Sequence, residues 1–252
     1  MKSVVVGSGG REHALAHVLG RDSDVTVTPG NPGIPNSTTQ SPLNIDADLF
    51  VIGPEAPLVD GLADQLRAQG KTVFGPGVDG AQLEGSKAWM KDLLVEANVP
   101  TAKHGTFTNE DEAIAFLSDM PLPYVIKTDG LAAGKGVIVT ESVNEAKDAI
   151  KNYLSGDAFG DAGKTVVIEE GLIGNEISIL AICDGTKAVP LAPAQDYKRL
   201  LNNDEGPNTG GMGAYSPIPS VSEDFVTQIM EEAVQPTLQT LITRGIDYLS
   251  LI

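Results

Sequence analysis

The first 85 residues alternate short apolar runs with segments of helical spacing, and this alternation restricts the fold more than any other feature. Apolar runs lie at 3–6, 25–28, 49–52 and 73–74, and helix-like segments lie at about 11–19 and 57–69. Buried parallel strands are continuous apolar runs joined by crossover helices. The pattern predicts an α/β chain that begins with an open parallel sheet, whose ligands bind at the carboxyl ends of the strands.

A glycine turn follows the first apolar run. Gly7 and Gly9 fit the dinucleotide motif G-x-G-x-x-G, but Glu12 stands at the third glycine position, so the motif is incomplete. A turn that leads into a helix N-terminus can still hold one phosphate through free N–H groups, with Arg11 adding positive charge. A tight turn that only packs the helix on the sheet is the open alternative.

A second glycine-rich stretch, DGLAAGKGV at 129–137, lies between two β-rich runs. It is not a P-loop, because Gly136 follows Lys135 where Ser or Thr should stand, and because a P-loop leads from a strand into a helix. The flanking runs predict a hairpin with a glycine-rich tip. So little side-chain bulk lets backbone donors approach phosphate oxygens closely.

Charged residues flank this hairpin in the sequence. Lys127 shares a strand face with Val125, and a lysine on an apolar strand is unfavourable unless it meets an anion. Glu169 and Glu170 end a predicted strand over 165–168, before another predicted strand over 177–182. These carboxylates could accept hydrogen bonds from ribose hydroxyls and an exocyclic amine. A solvated lysine and a polar turn are the open alternatives.

The helices of the second part carry local start signals. Ser86 is a predicted N-cap, and Asn109 is another with Glu112 at the capping-box position. Residues 143–154 show apolar positions at helical spacing.

Composition excludes several classes of protein. The net charge of −17 argues against a nucleic-acid or anionic-membrane surface. Cys183 is the only cysteine; we expect it to be a buried small hydrophobe in a chain from a reducing compartment. No signal peptide or membrane span is apparent, so we expect a cytoplasmic protein. The oligomeric state is left open.

Several longer strings resemble those of glycinamide ribonucleotide synthetases, the phosphoribosylamine–glycine ligases of the ATP-grasp superfamily. The resemblance covers nearly the whole chain in one order: GGREHAL, GPEAPLV, AQLEGSKAWMKDLL, VIKTDGLAAGKGVIV, VIEEGLIGNEIS, AQDYKR and GPNTGGMGAYSP. It implies a Rossmann-like pre-ATP-grasp domain at 1–85 and an incomplete ATP-grasp α+β domain at 86–252. A small nucleotide-clamping subdomain would span about 106–175.

The resemblance also implies a reaction. Glycine would be joined to 5-phosphoribosylamine through a glycyl phosphate, with ATP and Mg²⁺, in purine biosynthesis. The implied ATP-binding residues are Lys87, Lys127, Gly130, Gly134, Lys135, Gly136, Glu169, Glu170, Leu172 and Glu176. The implied catalytic residues are Lys135, Asp196, Lys198 and Arg199. The implied substrate-binding residues are Gly9, Gly10, Arg11, Glu12, Pro54, Glu55, Asn208, Thr209, Gly210, Gly211, Met212 and Gly213.

The chain departs from the family pattern in two places. The segment between Asn31 and Gly53 is short, so we expect a trimmed sheet edge. The family's magnesium-binding Glu-x-Asn pair would follow Ile252, so we assign no metal ligand here and expect little ligase activity from this chain alone. The alternatives are an inactive nucleotide-binding module and another ATP-grasp carboxylate–amine ligase.

Overall fold

The computed structural model describes residues 1–132, 136–156 and 163–252, and the backbone alone at Asp204 and Asn208. The chain forms two compact units. The first unit contains Met1–Gly85, Ile182–Ala188 and Leu241–Ile252, and the second contains Ser86–Ala181 and Val189–Thr240. The domain limits at 85 and 86 and the clamping subdomain stay predictions.

The strands are β1 (Lys2–Gly7), β2 (Asp24–Pro29), β3 (Leu49–Ile52), β4 (Val73–Phe74), β5 (His104–Phe107), β6 (Tyr124–Thr128), β7 (Val137–Thr140), β8 (Val166–Glu170), β9 (Ala181–Asp184), β10 (Ala188–Pro190), β11 (Gln195–Leu201), β12 (Glu205–Tyr215) and β13 (Leu249–Leu251). The helices are α1 (Gly10–Leu19), α2 (Glu55–Val59), α3 (Leu62–Ala68), α4 (Val78–Gly85), α5 (Lys87–Glu96), α6 (Glu110–Phe116), α7 (Val143–Leu154), α8 (Glu223–Ile229) and α9 (Gln235–Thr243). A π-helical turn, Met230–Val234, lies between α8 and α9.

The first unit contains the predicted parallel sheet. Its strand order is β2-β1-β3-β4, and all three pairings are parallel. Val5 and Val27 pack on one face against Leu15 of α1, and Val4 packs on the other against Leu66 of α3. Helices therefore cover both faces, which confirms the α/β prediction for this part of the chain.

The outer edge of this sheet is short. Beyond β2, Ser37 forms one isolated parallel bridge with Val27, and Thr38 N–H donates to the Val27 carbonyl at 2.9 Å. Residues 32–48 thus add a single bridge to this edge, and trimming relative to the family stays a prediction.

The prediction of one helix over 57–69 is wrong. The structure divides this segment into α2 and α3 at Gly61, whose φ is +83°. A left-handed residue interrupts the helix, and glycine adopts this conformation without the steric cost of a Cβ.

The prediction of a strand over 177–182 is also wrong. Ser178 forms an isolated bridge with Ala194, and β9 begins only at Ala181. The facing segment contains Pro190 and Pro193, which have no N–H to donate to a ladder. Leu191 N–H still donates to the Leu180 carbonyl at 2.7 Å, and Ser178 and Ala194 exchange two hydrogen bonds, so the pairing continues only irregularly.

Cys183 lies in β9, opposite Ser250 of the antiparallel strand β13. The side chain is buried, and burial raises the pKa of its thiol to about 11. A thiol that stays protonated at neutral pH is a poor nucleophile, and the prediction that Cys183 is buried is confirmed.

The second unit contains an antiparallel sheet in the order β5-β8-β6-β7. The predicted hairpin forms, because β6 pairs directly with β7. Ile126 and Ile168 pack against Ala146 and Ile150 of α7. Ser86 and Asn109 cap α5 and α6 as predicted, since their side chains accept from Trp89 N–H and Glu112 N–H.

We predict that Ile150→Ala destabilises the second unit by about 2–5 kcal/mol, because this fully buried side chain fills the contact between α7 and the sheet. Val143→Ala on the exposed side of the same helix is the control, with an expected change within about 0.5 kcal/mol. Urea unfolding followed by circular dichroism measures both, and equal losses in the two variants would contradict this packing.

A second prediction concerns the end of β8. A Cβ on Gly171 would overlap the Pro123 ring and come within 2.9 Å of the Pro123 carbonyl oxygen. Gly171→Ala should therefore cost about 1–3 kcal/mol. Gly174→Ala is the matched control, because a Cβ there meets nothing within 4 Å. A Gly171→Ala chain with wild-type denaturant stability would refute this contact.

Candidate functional site

One face of the antiparallel sheet in the second unit carries charged side chains. The face with Ile126 and Ile168 packs against α6 and α7. Because side chains alternate along a strand, Lys127 and Glu169 lie on the opposite face. The register pairs Val125 with Glu169, which makes Lys127 and Glu169 diagonal neighbours on adjacent strands.

The Glu169 carboxylate lies between two lysines. Lys127 Nζ donates to Glu169 Oε2 at 2.9 Å, and Lys91 Nζ of α5 lies 3.4 Å from Oε1. Lys91 also donates to Thr101 Oγ1 at 2.6 Å. Glu169 and Lys91 are only 5% and 4% exposed, whereas the Lys127 side chain keeps 25% of its surface. Buried ions require such pairing.

Burial lowers the pKa of Lys91, and the charge of Glu169 opposes this effect. The approach of Lys91 to Oε1 is an ion pair without hydrogen-bond geometry, because the buried Oε1 accepts no hydrogen bond from the described residues. A buried acceptor without a donor is energetically unfavourable. Glu169 Oε1 is therefore held by the charge of Lys91 and is shielded from solvent.

The glycine-rich segment is tied to the start of α5. Asp129 accepts from Ala88 N–H at 3.1 Å and from Ser86 Oγ at 3.0 Å, and Lys87 Nζ donates to the Gly130 carbonyl at 2.7 Å. A carboxylate at a helix N-terminus is favoured by the helix dipole. These contacts place Lys87 beside the base of the predicted phosphate loop.

Two glycines of this segment have geometric reasons to be glycine. Gly130 has φ +73°, a conformation that disfavours a Cβ. A Cβ on Gly136 would overlap the Thr128 hydroxyl. The predicted site residues Gly134 and Lys135 lie outside the described residues.

The other residues predicted near the nucleotide base make contacts that do not involve Glu169. Glu170 Oε1 accepts from Lys103 N–H at 2.8 Å. Leu172 is 75% exposed. Glu176 lies 3.7 Å from Lys198 Nζ, and both side chains are more than half exposed.

The predicted catalytic residues Asp196, Lys198 and Arg199 lie on β11, which forms an antiparallel ribbon with β12. Lys198 Nζ lies 3.4 Å from Asp196 Oδ2, and Arg199 donates to the Gly206 carbonyl. Thr209 on β12 donates to the Lys198 carbonyl at 2.8 Å. Thr209, Gly210, Gly211, Met212 and Gly213 follow along β12, as does Asn208, whose side chain is outside the described part.

The predicted substrate residues of the first unit cluster at the carboxyl ends of β1 and β3. The buried Glu12 accepts from Gly9 N–H at 2.7 Å and from Arg11 Nε at 2.7 Å, and Arg11 lies 3.6 Å from Glu55. Glu12 thus folds back onto the Gly9 N–H, which is one of the N–H groups of this turn. Gly10 opens α1, and Pro54 caps α2.

Burial disfavours ionisation of Glu12, but the hydrogen bonds from Arg11 and Gly9 and the charge of Arg11 outweigh it and lower the pKa of this carboxyl. Glu12 also occupies the space that a side chain on Gly7 or Gly53 would need. The turn thus presents an ionised carboxylate and Arg11, which differs from a dinucleotide-binding turn with its third glycine.

Sequence reasoning missed Lys91 and Thr101. Lys91 lies one helical turn after Lys87. Surface lysines on many helices have the same spacing, so the sequence does not single out Lys91. Its burial and its contact with Glu169 depend on the fold. Among the described residues, no helix is long and apolar enough to cross a membrane.

Comparisons with known proteins identify the family. The family model of the phosphoribosylglycinamide synthetase N domain matches residues 1–84, and that of the ATP-grasp (A) domain matches residues 85–252. Phosphoribosylamine–glycine ligases from Xanthomonas campestris and Escherichia coli O157:H7 are 47% and 46% identical to the chain, covering 98% of it. The chain spans 62% of the length of each relative.

Solved structures agree with this assignment. The phosphoribosylamine–glycine ligase of Thermotoga maritima is 32% identical, with a TM-score of 0.86 over 100% of this chain and 64% of that protein. D-alanyl-alanine synthetase A of Vibrio cholerae shares the fold, with a TM-score of 0.69 at 15% identity over 100% of this chain and 83% of its own length. The two family models meet at residues 84 and 85 and leave no part of the sequence unmatched. The chain therefore belongs to the phosphoribosylglycinamide synthetase family.

Proposed function

We propose that this chain takes part in the ligation of glycine to 5-phosphoribosylamine, with conversion of ATP to ADP and phosphate and formation of glycinamide ribonucleotide. The names of the relatives support the reaction. The observation that carries the nucleotide half of the proposal is the buried Glu169 carboxylate, with two lysines beside it.

In this proposal the adenine amine donates to the Glu169 carboxylate in place of Lys127, which turns toward the phosphates. The exposed Leu172 and neighbouring Glu170 flank the base, and Glu176 meets the ribose. Lys87 and Lys127 face the phosphates, a role that the family resemblance also implies for Lys135. Gly130 and Gly136, and by the same resemblance Gly134, give the phosphate-binding segment little side-chain bulk. Lys127 suits this role because it is more exposed than Lys91.

The chemistry follows from the weakness of a carboxylate as an electrophile. A glycine carboxylate oxygen attacks the γ-phosphorus of ATP, and ADP leaves. The amine of phosphoribosylamine then attacks the acyl carbon of glycyl phosphate, and phosphate leaves. The lysines neutralise the charge that develops during phosphoryl transfer.

We assign the substrates to two further groups of residues. In the first unit, Arg11 and Glu12, with Gly9, Gly10, Pro54 and Glu55, would hold phosphoribosylamine, because a guanidinium suits phosphate and an ionised carboxylate accepts from hydroxyls. In the second unit, Asp196, Lys198, Arg199 and residues 208–213 would hold glycine and the attacking amine.

Mg²⁺ is expected with the ATP phosphates, and the cytoplasm is the expected compartment. In residues 1–132, 136–156 and 163–252, no group of three or more His, Cys, Asp or Glu could hold a metal ion. The described residues do not fit a protein-held metal, and we derive no step through one.

The first test is nucleotide binding. We predict that the chain binds ATP in calorimetry and that Lys127→Met weakens binding about tenfold to hundredfold, because a charge-assisted contact to phosphate is lost. Lys147→Met is the control, since Lys147 is an exposed residue of α7, and it should leave affinity unchanged. Wild-type affinity in Lys127→Met would disprove the phosphate contact.

The second test is turnover. We predict slow phosphate release from ATP that requires both glycine and phosphoribosylamine, measured with a coupled phosphate assay. Release with formate or an aminoimidazole ribonucleotide in their place would indicate a different carboxylate–amine ligase. ATP binding without release under any of these conditions would indicate a binding module and would exclude ligation by this chain.

A further inference from the structure

Lys91 has no part in the proposed contacts with ATP, yet it is the most deeply buried lysine beside Glu169. It lies 4% exposed in α5, with its amine 3.4 Å from Glu169 Oε1. Thr101 holds that amine through a 2.6 Å hydrogen bond. A bound phosphate is far more accessible to Lys127, whose side chain is 25% exposed, than to Lys91.

The charge balance assigns different roles to the two lysines. Without a ligand, Glu169 is paired with both Lys91 and Lys127. Under the proposed function, on which this inference rests, Lys127 turns toward the ATP phosphates. Glu169 would then be a buried carboxylate without a counter-ion, which is strongly unfavourable, unless Lys91 remains beside it.

We propose that Lys91 is a positioning residue that keeps Glu169 ionised while Lys127 binds phosphate, and that it thereby sets the preference for a 6-aminopurine. An ionised carboxylate is an acceptor only. It accepts from the amine of adenine and repels the carbonyl oxygen at the same position of guanine. A neutral carboxyl could donate to that oxygen, so the preference depends on the charge.

The surroundings of Lys91 support this role. Burial lowers the pKa of Lys91, Glu169 and Glu170 oppose that change, and Lys127 adds to it. Moving Lys127 away from the cluster therefore favours the charged form of Lys91. Lys91 is therefore more fully charged, and pairs more strongly with Glu169, once Lys127 has turned toward the phosphates.

The experiment compares the dissociation constants of ATP and GTP, measured by calorimetry on the full chain. We expect wild type to prefer ATP. Lys91→Met should lower the ratio of the two affinities about tenfold or more, the effect of one charge-assisted hydrogen bond. Glu169→Gln should lower it similarly. The double variant should lose little more, because both changes remove the same interaction.

Thr101→Val is the matched control. It removes the hydrogen bond to Lys91 but keeps the charge, so the ATP preference should remain. If Lys91→Met does not give a cooperative thermal transition, Lys91→Gln and Lys91→Arg replace it in the comparison. Lys91→Gln removes the charge and should lower the ratio, whereas Lys91→Arg retains the charge and should keep it.

Three results would overturn the inference. A Lys91→Met chain with the wild-type ratio shows that Lys91 does not act on the base. Equal weakening of ATP and GTP, or additive effects in the double variant, shows a role in packing alone. If wild type binds neither nucleotide, the proposed function fails first, and the inference fails with it.

Discussion

The ion pairs of Glu169 are the interaction on which the candidate site of the second unit depends. A carboxylate that is 5% exposed is stable as an ion only with partners of opposite charge. Strand β8 supplies the carboxylate, β6 supplies Lys127 and α5 supplies Lys91. The cluster forms only when a helix and two strands pack correctly, so the fold and the candidate chemistry are coupled.

The first unit also contains a buried carboxylate, but it is stabilised by different contacts. Glu12 is buried at the ends of β1 and β3, but its hydrogen bonds come from its own neighbours, Gly9 and Arg11. A local turn therefore stabilises this carboxylate, while the second unit uses contacts between residues such as Lys127 and Glu169, which are 42 positions apart. Both units present an ionised carboxylate beside a basic side chain.

The sequence predicts those parts of the structure that depend on short-range patterns. The parallel sheet, the β6–β7 hairpin and the caps at Ser86 and Asn109 follow from apolar runs and from side chains that bond within a few residues. The family resemblance adds Lys127 and Glu169 as site residues, but it does not say that they pair with each other.

The errors arise where distant or conformational effects decide. Gly61 breaks a helix whose apolar spacing is otherwise regular, because its φ is positive. The strand predicted over 177–182 begins only at Ala181, because the preceding residues pair irregularly with the facing segment. Lys91 was missed because burial of a lysine depends on which distant carboxylate the fold places beside it.

The capping of α5 by the glycine-rich segment has an experimental benefit. Trp89 is the only tryptophan in the chain. It lies in the first turn of α5, next to Ala88, whose N–H donates a hydrogen bond to Asp129. Its indole is partly buried. The chain thus carries a single tryptophan beside this segment. Its emission, excited at wavelengths that the tyrosines do not absorb, should report rearrangement of the segment without any added label.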